Sequence, residues 1–319
     1  MPNPETPKQG LVVSSHGRHV VVEDDEGERR ICHSRGKKNL TVVGDRVTWT
    51  TSAHEGTIVA VLPRHNLMYR QDEIRIKSFA ANLDQTLILL AAEPEFSERQ
   101  LARALIAAEA QSIRPIIVLN KSDLGALFQS AWQRLAPYRD MGYEVLGISL
   151  NPTSENASAT ASTESTATDL TRLEALLADK TTLVMGPSGA GKSTLINRWV
   201  PHAMVATNAI SKALNSGKHT TTSTHWYWVG TNRHTALIDS PGFQEFGLHH
   251  IQPTRLASLM PDFRRHLGRC KYHNCTHLHE PGCGVISQIK TTSSALYISE
   301  VRYKIYQDIF AELSAIRHW

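Results

Sequence analysis

Apolar positions change texture along this chain. From Gly10 to about Met68 they form short β-rich runs: Leu11-Val12-Val13, His19-Val20-Val21-Val22, Asn39-Leu40-Thr41-Val42-Val43 and Gly56-Thr57-Ile58-Val59-Ala60-Val61-Leu62. Asp25-Glu26-Gly27 and Val43-Gly44-Asp45 supply turns between them. Four or five strands within about 60 residues predict a small all-β barrel of OB type. After Ala80 the texture becomes that of an α/β domain. Thr86-Leu87-Ile88-Leu89-Leu90-Ala91 is a continuous apolar run, as in a strand buried on both faces of a parallel sheet. Ser97 caps a predicted helix through Ala110, with Glu98 in its first turn. Strand Pro115–Leu119, helix 126–139, strand Glu144–Ile148 and strand Thr182–Met185 continue the alternation. In such βαβ architectures ligands bind at the C-terminal ends of the strands.

Two stretches break the pattern. Residues 1–9 are polar and proline-rich, predicting a disordered tail. Residues 151–168 (NPTSENASATASTESTAT) have almost no large apolar group, so they predict a flexible insertion that cannot offset its ordering entropy by burial. Near the end, Leu296, Val301, Ile305, Ile309, Leu313 and Ile316 recur at spacings of three and four, an amphipathic helix over 293–317. The expected organisation is a tail (1–9), a β barrel (10–68), an α/β domain (80–248) and a helical C-terminal segment (249–319).

The α/β segment carries three motifs. Gly186-Pro187-Ser188-Gly189-Ala190-Gly191-Lys192-Ser193 fits G-x-x-x-x-G-K-[ST], with Thr194 next in the helix that follows. Its glycines let backbone N–H groups face a phosphate, and the helix dipole adds to the attraction. Lys192 is placed to reach the β- and γ-phosphates and Ser193 to ligate Mg²⁺. Asp239-Ser240-Pro241-Gly242 reads as D-x-x-G, Asp239 holding Mg²⁺ through water and the Gly242 N–H contacting the γ-phosphate. Asn120-Lys121-Ser122-Asp123 reads as the guanine-selecting NKxD. Asp123 can accept from guanine N1–H and its 2-amino group, donors that adenine lacks, a discrimination of roughly 10³-fold or more. Asn120 braces that loop, Lys121 stacks its stem on the base, and Ser149 is the expected third base-side element.

Motif order is unusual. GTPases ordinarily run phosphate loop, D-x-x-G, then NKxD; here NKxD comes first, as in a circular permutation, which compact domains with adjacent surface termini tolerate. Gly217–Thr224 (GKHTTTST) reads as the first switch, with Thr221 the expected Mg²⁺ ligand and Thr220 and Thr222 as alternatives. Phe243 follows D-x-x-G where many GTPases place a water-orienting glutamine. His219 is the candidate substitute, and turnover is expected to be slow without a partner.

The cysteines add a second chemistry. Of four, Cys270, Cys275 and Cys283 crowd together with histidines, in a pattern Cys-x4-Cys-x-His-x5-Cys completed by His277. Three thiolates and an imidazole suit a closed tetrahedral Zn²⁺ site with structural work. His273 and His279 lie close enough that spacing alone leaves the fourth ligand open. Arg264, Arg265, Arg269 and Lys271 around it fit a phosphate-backbone surface or a solvated basic face.

Composition narrows little further. With 319 residues, 41% hydrophobic and 20% charged, the chain fits two or three soluble globular domains. A net charge of +4 is too mild to argue for a nucleic-acid partner by itself. No apolar run approaches the roughly 18 residues of a membrane span, and MPNPETPKQG lacks the apolar core of a signal peptide, so cytoplasm is the expected compartment.

Together these residues resemble the RsgA (YjeQ/YloQ) family of circularly permuted GTPases, from about Gly10 to the C-terminus. The resemblance rests on AANLDQTLILLAAEP, PIIVLNKSDL, GPSGAGKSTLIN, GKHTTTST, IDSPGFQEFGL and CKYHNCTHLHEPGCGV. It implies an N-terminal OB-fold, a central permuted P-loop GTPase domain and a C-terminal zinc-binding helical region. It also implies a GTP hydrolase that binds the 30S subunit and its 16S rRNA late in maturation, stimulated by that subunit, and using Mg²⁺ with GTP. The family's zinc ligands fall on Cys270, Cys275, His277 and Cys283, one ion per chain. The insertion at 151–168 is longer than the family pattern near Ser149. A monomer is the simplest expectation. The alternative is an RNA-binding assembly factor whose GTP site is structural and does not turn over.

Overall fold

The computed structural model describes residues 7–16, 19–34, 41–52, 55–71, 76–150, 162–201, 203, 224–240, 243, 246–289 and 297–315. Its contacts divide into two compact units: Met1–Tyr69, Lys77–Leu89 and Thr171–Phe243 form one, and Arg70–Ile76, Leu90–Leu170 and Gln244–Trp319 the other.

The first unit opens with five strands: β1 (Lys8–His16), β2 (His19–Glu23), β3 (Arg29–Ser34), β4 (Arg46–Ser52) and β5 (Glu55–Val61). They pair β1–β2–β3–β5–β4, and β4 returns to β1, closing a five-stranded barrel of OB type. Alternate positions point inward, so Val12, Val20, Val22, Cys32, Val47, Trp49 and Ile58 fill its core. The turn read at Val43-Gly44-Asp45 forms around Gly44 at φ 89°, a left-handed conformation natural to glycine. Asp45 is fully buried there and accepts hydrogen bonds from Val42 N at 2.8 Å and Arg64 Nε at 2.6 Å. The strand expected at 39–43 is not found: residues 39–40 lie outside the described residues, and Val43 makes only an isolated bridge to Ala80. Arg46–Ser52, whose Val47 and Trp49 face the core, is the strand that closes the barrel instead. A two-stranded sheet, β6 (Leu67–Gln71) and β7 (Ile76–Ala81), follows the barrel.

The same unit contains most of the α/β sheet. Strand β8 (Gln85–Ala91) is buried throughout, as its unbroken apolar run predicts. In chain order β9 (Arg114–Asn120), β10 (Glu144–Gly147), β11 (Thr181–Met185), β12 (Thr224–Val229) and β13 (Thr235–Asp239) follow. β11 lies parallel between β8 and β13, β12 runs antiparallel to β13, and the other edge of β12 pairs with β1. The barrel is therefore hydrogen-bonded into the edge of the α/β sheet, and for that reason it shares a unit with the phosphate-loop strand.

The second unit holds the parallel pair β9–β10 with α1 (Glu98–Ala110), α2 (Ala126–Arg134) and α3 (Ala136–Asp140). Ser97 caps α1, its side chain accepting from Gln100 N at 3.3 Å, as its sequence position predicts. The single helix expected over 126–139 is divided at Leu135. Pro137 has no N–H to donate and its ring opposes the carbonyl four residues back, so α2 ends and α3 restarts with proline in its first turn. The segment expected to be flexible through residue 168 needs correction at its end. α4 (Ser162–Leu177) begins inside it, and Asp169 on this helix accepts from Gly147 N at 2.9 Å, tying helix to strand. Residues 151–161 and 1–6 lie outside the described residues, and the disordered tail expected over 1–9 is too long, because Lys8 and Gln9 already pair with Trp49 and Thr48 in β1. The C-terminal helix spans Glu300–Ser314, narrower than the periodicity over 293–317 predicts, because Ser299 caps it by accepting from Arg302 N at 3.2 Å. Among the described residues no helix is long and apolar enough to cross a membrane.

Candidate nucleotide site and metal centre

The base-side motif stands at the C-terminal end of β9, in the second unit. Asn120 is buried, and its side-chain oxygen accepts from Leu150 N at 3.2 Å. This ties the loop after β9 to the loop after β10. Lys121 sits at φ 67° and its ammonium donates to the Glu93 carbonyl, so a left-handed turn swings the chain into the short helix Ser122–Leu124. Ser122 N donates to Ile148 O at 3.0 Å. Asp123 is exposed, with its carboxylate accepting a 2.6 Å hydrogen bond from the Ser149 hydroxyl. An exposed, oriented carboxylate beside a second hydroxyl can accept from two adjacent N–H donors of a planar base. The Glu93 carbonyl is a contributor that motif reading misses, since backbone acceptors leave no signal in side-chain identity.

The phosphate-side motifs stand in the first unit. β11 ends at Met185, the loop turns through Gly186 to Gly191, and α5 (Lys192–Trp199) begins at once. A Cβ at Gly186 would collide with the Leu89 carbonyl, so only glycine lets the loop leave the sheet this close to β8. Gly189 and Gly191 take φ 79° and 102°, and Gly191 is the residue before the helix. Pro187, Ser188 and Ala190 complete the loop, and Ser193 and Thr194 lie exposed in the first turn of α5. Lys192 Nζ donates to Gly186 O at 3.1 Å, curling its ammonium over the loop. Asp239 ends β13, buried at 7% exposure; burial raises its carboxyl above the ordinary range, opposed by the Lys192 charge. A buried carboxylate near one cation, with an exposed serine hydroxyl on the neighbouring helix start, fits a magnesium ion carried in with a nucleotide. Phe243 is buried at 4% exposure. His219, Thr220, Thr221, Thr222 and Gly242 lie outside the described residues.

The cysteine cluster forms a compact centre in the second unit. One donor atom each from Cys270, Cys275, His277 and Cys283 lies within 4.8 Å of every other, and His273 and His279 stay outside on the surface. His277 Nδ1 is 3.5 Å from Cys270 Sγ and 3.4 Å from Cys283 Sγ. Gly284 N and Ile286 N donate to the Cys270 and Cys283 sulfurs, each at 3.4 Å. Burial and the neighbouring Cys283 and Cys270 sulfurs push the Cys275 thiol up to about 12, so three adjoining thiolates require a cation among them. Donor set, spacing and N–H···S bonds fit a structural zinc site. Two tyrosines of the C-terminal helix hold the knuckle from behind: Tyr303 donates to His277 O at 2.9 Å and Tyr306 to Thr276 O at 2.7 Å. Sequence reading assigned them no role, although a pair at i and i+3 places them on one face of the helix. Of the basic residues nearby, Arg264 pairs with Glu109 at 3.3 Å and Arg265 donates to Asp140 O at 3.1 Å. Those two have structural partners. Arg269 and Lys271 are exposed.

Known proteins resemble this chain over nearly its whole length. The RsgA GTPase family profile matches residues 61–249. The small ribosomal subunit biogenesis GTPase RsgA of Variovorax paradoxus (strain S110) is 62% identical over 309 residues, covering 97% of this chain and 93% of that protein. The protein of the same description from Burkholderia pseudomallei (strain K96243) is 47% identical over 310 residues, with the same coverage of 97% and 93%. Among solved structures, YjeQ from Thermotoga maritima superposes with a TM-score of 0.69 at 28% identity, covering 98% of this chain and 100% of that one. YloQ, a circularly permuted GTPase, gives 0.66 at 25% identity, covering 98% and 97%. With the family profile matching more than half of its residues and a relative 62% identical over 97% of its length, the chain belongs to the RsgA GTPase family.

Proposed function

We propose that this GTPase binds the small (30S) ribosomal subunit through its 16S rRNA late in maturation and hydrolyses GTP to GDP and phosphate when that subunit stimulates it. The observation that carries the reading is the base-side loop. Asn120 fixes two loops together and Ser149 orients Asp123, the carboxylate that selects guanine. In this reading Asn120, Lys121, Ser122, Asp123 and Ser149 hold the base. Gly186 through Thr194 hold the phosphates, Lys192 neutralising charge as the γ-phosphoryl leaves. Ser193, Thr221 and Asp239 are the residues that would hold Mg²⁺, which supplies charge neutralisation on the phosphates when bound. The Gly242 N–H would contact the γ-phosphate. Phe243 leaves water positioning to another group; His219 takes that role in switch I, completed when the subunit is engaged.

The names of the relatives, small ribosomal subunit biogenesis GTPases, support the ribosomal partner. The barrel, the knuckle and the exposed Arg269 and Lys271 supply surfaces suited to an RNA backbone. A three-part organisation, with the barrel at 10–68, the GTPase domain at 80–248 and the zinc-binding region at 249–319, follows from the same reading. So do a cytoplasmic location and a monomeric state off the subunit.

GTP hydrolysis measured with and without purified 30S subunits tests it, with Asp123→Ala as control. The expected result is a large stimulation that requires 30S and disappears in the variant at limiting GTP. Equal slow turnover in both conditions overturns the ribosomal reading. Stable GTP with intact 30S binding would favour an assembly factor with a non-hydrolysing site.

A further inference from the structure

The seam between barrel and sheet has an unusual chemistry for so short a contact. Among the described residues β1 meets β12 through two register pairs, Ser14↔His225 and Ser15↔Thr224. Both partners of the first pair are buried, Ser14 at 2% and His225 at 3% exposure. The Ser14 hydroxyl lies between two imidazoles, 3.1 Å from His225 Nδ1 and 2.6 Å from His16 Nε2. A hydroxyl has one proton to give, so one ring accepts it while the other donates to the oxygen. Burial, with His16 nearby, lowers His225 to about 4, so the ring works as a neutral hydrogen-bonding group.

This pair does not end at the seam. His225 stands directly opposite Asp239 in the β12–β13 ladder, and Asp239 stands opposite Val184 of the strand that feeds the phosphate loop. Directly opposed residues in a sheet share a face, with Cβ atoms about 5 Å apart. Ser14, His225 and Asp239 therefore form one row across three strands, from the barrel to the D-x-x-G aspartate. Asp239 is the last residue of its strand, so its carboxylate depends on the sheet register beside it.

We propose that Ser14 and His225 are positioning residues for the GTPase reaction: their buried hydrogen bond fixes the register in which β13 presents Asp239 to the nucleotide-bound magnesium. The proposal rests on the reading of Asp239 as a residue that holds Mg²⁺. It makes the barrel a part of the metal-organising framework as well as a candidate RNA-binding surface. The far end of the same seam supplies an internal control, because Trp228 Nε1 donates to the buried Glu23 carboxylate at 2.7 Å without sharing a row with Asp239.

The test is a Mn²⁺ titration, followed by electron paramagnetic resonance, of the full chain loaded with β,γ-imido-GTP, together with nucleotide affinity in EDTA. Ser14→Ala and His225→Leu are expected to weaken Mn²⁺ binding threefold or more while metal-free nucleotide affinity stays within twofold. Ser14→Thr, which keeps the hydroxyl, is expected to bind Mn²⁺ as the parent does. Trp228→Phe is expected to leave Mn²⁺ binding unchanged even where it lowers the melting temperature. Unchanged Mn²⁺ affinity in both Ser14→Ala and His225→Leu overturns the proposal, as does an equal loss in Trp228→Phe. Asp239→Ala separates the two readings: if Mn²⁺ affinity survives it, the role given to Asp239 fails and the positioning proposal falls with it. If affinity is lost there but not in the Ser14 and His225 variants, only the positioning proposal fails.

Discussion

Arg103 shows how a single residue can be committed to structure far from any motif. It is nearly buried on α1, donates to Phe246 O at 2.6 Å and meets both oxygens of Glu312, at 2.8 and 2.5 Å. The Arg103 guanidinium holds the Glu312 carboxyl below the ordinary carboxylate range. A depressed carboxylate contributes stability that is fully present above its unfolded pKa and is lost as pH falls through its folded pKa. Glu312→Gln is therefore expected to cost about 1 kcal/mol at pH 7, because the amide still accepts from Arg103 but loses the charge, and the pair is partly screened by solvent. The gap between variant and parent should close as pH drops below the ordinary carboxylate range, which chemical denaturation across pH 3 to 7 measures. At this scale the sequence was readable where a motif states its own mechanism. NKSD and the phosphate loop name a chemistry through side-chain type and spacing. Arg103 and Glu312 are 209 positions apart, and Ser14 and His225 are 211 apart; no local period records such a meeting.

Elements were legible according to how much of their identity is local. β8 announced itself because burial on both faces demands an unbroken apolar run, and α1 because Ser97 supplies the cap at its start. The split of the helix after β9 was written in Pro137, but periodicity across it looked continuous. Periodicity places the start of the C-terminal helix too early, because apolar spacing extends upstream of Ser299, the residue whose hydroxyl caps its first turn. That helix and the zinc knuckle depend on each other, since Tyr303 and Tyr306 bond the carbonyls of His277 and Thr276. Zinc analysis should find one ion per chain, reduced to a small fraction in Cys275→Ser. Stripping the ion is expected to lower the melting temperature and to loosen the C-terminal helix, seen as faster amide exchange over 300–314. Unchanged exchange there would show that the tyrosines, and not the metal, hold the knuckle.

At the scale of the molecule, contacts unite the barrel with the phosphate-loop strands because β1 continues the hydrogen-bonding of β12. Local texture changes near residue 70 and so predicts consecutive domains, while a strand pairing across some 200 positions leaves no mark on it. The barrel is accordingly expected to depend on the α/β sheet for its stability, although its own strands close on one another. Deleting residues 1–68 is expected to bare the edge of β12 and to give a chain that aggregates or melts well below the parent, whereas an independent domain would leave the remainder soluble. Light scattering and thermal melts of the truncated chain decide between these.

The shared strand also sets a timetable for synthesis. Translation completes all five barrel strands by Val61, and the second half of β1 then waits for a partner that emerges only with Thr224. Through that interval an open strand edge leaves the exit tunnel while the guanine-reading loop is finished ahead of the phosphate loop, the reverse of the order in which unpermuted relatives emerge. Pairing across so long a separation is slow to close, so the open edge of β1 is expected to be exposed to misassembly while the intervening residues are made.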